Sequence, residues 1–100
     1  MKNTYWIVWS DEALESLKSI LDYPEQRWTE RETGNFVELL EHQLMLIRNN
    51  PYLFPLSDRF MDLRRSVLSS QTTIFYRIIG NEIHLISLFD NRQDPDKLKI

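Results

Sequence analysis

The chain has 100 residues, 42% apolar and 27% charged, with four Pro and two Gly, the make-up of a single globular domain spanning 1–100. The absence of cysteine excludes a disulfide framework and a thiolate metal site, and no apolar run approaches the length that spans a bilayer. The formal net charge of −3 argues against a general nucleic-acid binder. Charge is unevenly spread: residues 1–50 hold five Lys/Arg against nine Asp/Glu, and residues 51–100 hold seven against six. An anion-binding surface is therefore expected in the second half. The first residues, Met1 to Thr4, carry no signal-peptide core, so a cytoplasmic location is expected.

The first segment, Tyr5-Trp6-Ile7-Val8-Trp9, is aromatic and β-branched and predicts a buried strand. Ser10-Asp11-Glu12 is a helix start, with an N-cap followed by acids in the first turn. Ala13, Leu14, Leu17, Ile20 and Leu21 then recur at helical spacing, and Pro24 should interrupt the run. Thr29-Glu30-Arg31-Glu32 has capping-box spacing and predicts a second helix. Its apolar stripe is Phe36, Leu40, Leu44 and Ile47, widened by Val37 and Leu39. Asn49-Asn50-Pro51 should stop it, because a residue before proline is pushed out of the helical region.

A loop over 52–62 leads into three β-like runs at 63–68, 72–79 and 82–89. Gly80-Asn81 is a two-residue hairpin signal between the last two. That turn predicts a register with Ile79 opposite Glu82, Arg77 opposite His84, Phe75 opposite Ile86 and Thr73 opposite Leu88. The other face then carries Tyr76 with Leu85 and Ile74 with Ser87. The polar tail from Asp90 onward, which contains Pro95, should be loop or a short terminal turn. The expected fold is α+β in the order β-α-α-β-β-β, a helical hairpin packed on a mostly antiparallel four-stranded sheet.

The order of these elements resembles the RelE/ParE toxin superfamily of type II toxin–antitoxin systems. Several segments carry the likeness. Ile47-Arg48-Asn49-Asn50-Pro51 with Phe54-Pro55 resembles the helix end and loop of these toxins, and Leu63-Arg64-Arg65-Ser66-Val67 resembles their basic strand. Ile74-Phe75-Tyr76-Arg77-Ile78 is similar to the central strand, and Phe89-Asp90-Asn91-Arg92-Gln93-Asp94-Pro95 to the C-terminal ending. The resemblance covers nearly the whole chain. It implies a growth-inhibiting toxin of plasmid-stabilization type, neutralised by a cognate antitoxin whose C-terminal segment covers a groove between helices and sheet. Operator DNA would be met only through the antitoxin, and neither cofactor nor metal is implied.

The superfamily has two branches of activity. RelE-like members cleave mRNA on the ribosome, whereas ParE-like members inhibit DNA gyrase by binding. A nuclease needs groups that activate the ribose hydroxyl, stabilise the phosphate and protonate the leaving oxygen. By resemblance, Arg64 and Arg92 fit two of the basic positions, with Arg65 and His84 as assistants. Thr73, however, stands where the nuclease branch carries an arginine, and no Tyr or His follows Phe89. The ParE-like reading is therefore preferred, with the ribosome-dependent endonuclease as the alternative. Arg64, Arg65, Arg77 and Arg92 are the candidate contacts to target or antitoxin. A structural reading competes: Arg77 or Arg92 could pair with Asp90 or Asp94 and pin the tail. His42 reads as a solvated helix residue.

Overall fold

Ser10 ends the first strand and opens the first helix. Its backbone is extended, and its side chain accepts a hydrogen bond from the Ala13 amide, one of the amides left without a partner at a helix start. In the computed structural model, which describes residues 4–22, 28–60 and 62–91, this junction joins β1 (Trp6–Trp9) to α1 (Asp11–Leu21). Pro24 lies outside the described residues. The second helix, α2 (Glu30–Asn49), starts at Thr29 with both halves of the capping box in place. It ends at Asn50, immediately before the buried Pro51.

Three strands complete the order: β2 (Arg64–Val67), β3 (Thr72–Ile79) and β4 (Glu82–Asp90). The sheet order is β1-β4-β3-β2, with β1 parallel to β4 and the other pairings antiparallel. Two helices on a four-stranded, mostly antiparallel sheet match the expected α+β fold. Gly80 in the hairpin turn has φ +60, a conformation that a residue without Cβ adopts freely.

The core lies between the helical hairpin and one face of the sheet. Ala13 and Ile20 of α1 and Phe36, Leu40 and Ile47 of α2 meet Ile74, Tyr76, Ile83, Leu85 and Leu88. Leu44 is half-buried, in keeping with the predicted stripe. Leu14, Val37 and Leu39 depart from it: all three are exposed, because they lie on the flanks of helices that touch the sheet along a narrow line. Trp28 joins the hairpin from the far end, its ring centroid 5.4 Å from that of Phe36 and its indole N–H donating to the Ile20 carbonyl at 3.2 Å.

The predicted register holds near the turn and fails beyond it. Ile79 faces Glu82, Arg77 faces His84 and Tyr76 faces Leu85. A bulge between Phe75 and Tyr76 then makes Ile86 an extra residue on β4. Phe75 therefore pairs with Ser87, Ile74 with Leu88 and Thr73 with Phe89, in place of the expected partners. Pairing also continues through Asp90, which extends β4 into what the sequence assigned to the tail.

The bulge sits where β1 has run out. Beyond Trp9 the edge of β4 has no strand beside it, and α1 takes that place. The Ser10 hydroxyl donates to the Ile86 carbonyl at 3.2 Å, and the Ser16 hydroxyl accepts from the Leu88 amide at 2.9 Å. Two serines thus satisfy backbone groups that a strand would otherwise pair.

Candidate target-binding surface

The basic strand β2 splits its two arginines between opposite faces, as alternation requires. Arg64 pairs with the buried Tyr76 and lies on the helix side. Its guanidinium donates to the carbonyls of Tyr52 and Phe54, at 3.3 and 2.7 Å, and stacks 5.1 Å from the centre of the Tyr52 ring. Arg64 therefore braces the loop that follows α2. Arg65 points to the outer face, opposite Phe75, and is exposed; among the described residues its side chain has no hydrogen-bond or ion-pair partner.

Tyr76 completes the same brace from inside. Its hydroxyl donates to the Pro51 carbonyl at 2.6 Å in a fully buried setting. Burial pushes the phenol up to about 12, and the nearby Arg64 charge opposes that shift. The tyrosine of the central strand therefore acts as a hydrogen-bonding anchor rather than as an acid or base.

The outer face of the sheet gathers the remaining candidates. Arg77 pairs across the hairpin with His84, which in turn neighbours Val8 on β1. His84 contacts the Glu82 carboxylate at 3.1 Å, and Arg77 contacts Asp62 at 2.6 Å. Asp94 lies outside the described residues, and Arg77 thus takes Asp62 as a partner, which the sequence did not suggest. Its partner comes from the loop preceding β2, which folds back over the sheet and sets Phe60 edge-on to Phe75, centroids 6.2 Å apart. Ser57 holds the turn of this loop, its hydroxyl accepting from the amides of Arg59 and Phe60. Asp62 and Phe60 had no local sequence signal, because only the return of the loop brings them to the face.

Thr73 is on this face as well, buried, with its hydroxyl donating to the Asn91 side chain at 3.1 Å. The position where a nuclease arginine was sought instead ties the end of β4 to β3. Arg92 lies outside the described residues. Of the sequence-derived candidates, the structure brings Arg65, Arg77 and His84 to one face and separates Arg64 from them.

Two clefts flank α2. One of about 430 Å³ lies between β1 and α2, lined by Tyr5, Ile7, Leu44 and Met45, with Arg48 donating to the Tyr5 carbonyl at 3.0 Å. The other, of about 340 Å³, lies between the hairpin and the β2–β3 turn, lined by Ile20, Trp28, Phe36, Leu39 and Leu68. Met45, Leu46, Tyr52 and Leu53 stand exposed along the same side of the molecule as α2 and its following loop. No helix among the described residues is long and apolar enough to cross a membrane.

Comparison with known proteins places this architecture. Residues 7–95 match the profile of the ParE toxin of type II toxin–antitoxin systems, parDE. No curated sequence matches significantly. Eighteen chains among solved structures do. The chromosomal ParDE system from P. aeruginosa has a TM-score of 0.73 at 14% identity, covering 88% of this chain and 97% of the other. The YoeB/ParE toxin from Agrobacterium tumefaciens has a TM-score of 0.63 at 12% identity, covering 86% and 98%. The E. coli DinJ-YafQ toxin–antitoxin complex has a TM-score of 0.60 at 11% identity, covering 89% and 94%. At such identities these likenesses concern the fold, while the profile match spans most of the sequence. With its helical hairpin on a β1-β4-β3-β2 sheet, the chain belongs to the ParE toxin family of type II toxin–antitoxin systems.

Proposed function

We propose that this toxin inhibits growth by binding a protein target through the outer face of its sheet, with DNA gyrase as the first target to test, and that a cognate antitoxin neutralises it. The observation that carries the reading is the outer face itself. On this face Thr73 is engaged with Asn91, and Arg77 and His84 each meet a carboxylate. With Arg65 as its one unpaired guanidinium among the described residues, such a face supports recognition better than phosphodiester cleavage, which needs several free cations and a free base at the scissile bond. The antitoxin segment has a natural seat in the apolar clefts beside α2, where coupled folding can bury Leu39 or Met45. The antitoxin of the DinJ-YafQ complex supports such a partner by fold likeness.

Inducible expression in bacteria, with and without the neighbouring gene, tests the toxin–antitoxin reading: growth arrest relieved by co-expression is expected. Inhibition of gyrase supercoiling by the purified protein tests the target. The second reading, a ribosome-dependent endonuclease using Arg65, His84 and Arg92, draws on the direct pairing of His84 with Arg77. Toeprinting on ribosome-bound mRNA separates the two, since cleavage abolished by His84→Ala defeats the binding-only mechanism.

A further inference from the structure

Arg77 is only half satisfied. Asp62 reaches one terminal nitrogen of its guanidinium, while Nε is buried and has no hydrogen-bond partner. A guanidinium presents Nε–H and a terminal N–H as a side-on fork that matches both oxygens of a carboxylate. A buried donor left unpaired is costly, so one that persists calls for a reason. The carboxylate holding the other prong is itself two-thirds exposed and comes from a loop, a setting in which an ion pair adds little stability.

We infer that Arg77 is the centre of a carboxylate-binding site on the outer face, and that Asp62 is an internal occupant which an acidic residue of the protein target displaces. The inference rests on the target-binding role proposed for this face. Charge complementarity selects the occupant. Arg65 lies diagonally across from Arg77 on the same face and is free to attract an acid, whereas Glu82 keeps His84 engaged. Apolar side chains border this group: Phe75 precedes Arg77 on the same face of β3, and Trp6, Val67 and Ile79 stand exposed around the face. An apolar rim around one paired cation suits an acidic side chain of a protein. A polyanionic nucleic acid would need a denser array of free cations, which a chain of net charge −3 does not offer. When the target's carboxylate arrives, Asp62 leaves, Phe60 lifts from Phe75, and both prongs of the fork are filled.

The test is an NMR titration that follows the backbone amide signal of residue 77, together with the Arg77 Nε–H signal where the arginine is kept, using N-acetyl-aspartate methylamide as the carboxylate probe and an oligothymidylate as the nucleic-acid probe. Asp62→Asn removes the internal competitor. It is expected to bind the carboxylate probe about threefold more tightly than the unaltered protein, because the open fraction rises. The double variant Asp62→Asn, Arg77→Lys should lose that gain. An Arg77 signal that does not move in Asp62→Asn overturns the site, and so does an equal response in the double variant. Tighter binding of oligothymidylate than of the carboxylate probe also overturns it, in favour of a nucleic-acid surface. Failure of the functional reading is separable: an unaltered protein that does not arrest growth removes the toxin role and the link to a target, while the titration alone decides whether Arg77 takes a carboxylate.

Discussion

Tyr76 and Arg64 show how much one residue can hold. Both are directed at the segment after α2, Tyr76 through the Pro51 carbonyl and Arg64 through those of Tyr52 and Phe54. Tyr76→Phe keeps the ring and strands a buried acceptor, so a loss of about 1–3 kcal/mol in denaturant unfolding is expected. The same residue predicts an alkaline limit. Its folded pKa is raised to about 12 from an ordinary value near 10. The folded state therefore favours the neutral phenol. That contribution is fully present below about pH 10 and is lost as pH climbs toward 12. Unfolding measured across this window should show a steeper loss for the unaltered protein than for Tyr76→Phe. At the neighbouring strand position, Arg65→Glu should leave stability within about 0.5 kcal/mol, since the side chain is exposed and unpaired. It should nonetheless abolish growth arrest if the outer face meets the target. Arg64→Ala should do the reverse, costing about 1–2 kcal/mol through the lost brace.

At the scale of elements, the decisive feature is the unequal length of β1 and β4. Four residues cannot cover nine, and α1 fills the gap with hydroxyls. Ser16→Ala would leave the Leu88 amide without a partner in a buried place. A cost of about 1–3 kcal/mol is expected, together with faster hydrogen exchange at Leu88. Ser10→Ala removes both an N-cap and the tie to Ile86, so about 1–2 kcal/mol should be lost, with fraying at the start of α1. At the other edge, the loop before β2 shields the sheet: Leu56 bridges to Arg64, and the Arg65 amide donates to the Pro55 carbonyl at 3.0 Å. Neither edge is left as a long open template for another chain.

At the scale of the whole molecule, one face of the sheet holds the core and the other is the proposed recognition surface. The helix face is continuous core. Among the described residues, the loop through Phe60 and Asp62 lies over the outer face at Phe75 and Arg77. The clefts beside α2 lie on the helix side and away from this face, so the proposed antitoxin and target sites occupy separate ground. Antitoxin binding measured with Arg65→Glu should therefore stay within about threefold of the unaltered value, since distant sites are close to additive.

The sequence alone determined both helix starts, the stop at Pro51, the hairpin turn at Gly80-Asn81 and the β-α-α-β-β-β order. Each rests on local chemistry: caps, a ring without an N–H, and periodic burial. It also determined that Arg64 and Arg65 lie on opposite faces, since strand alternation needs no partner to enforce it. Only the tertiary structure decided the rest. The bulge at Ile86 answers to the end of β1 and the serines of α1, which are remote in sequence. The partner of Arg77 is Asp62 because a loop returns over the sheet, and no spacing along the chain encodes that return. Leu14, Val37 and Leu39 continue the helical stripes in sequence yet stand exposed, because a helix touching a sheet buries a narrower line than periodicity allows.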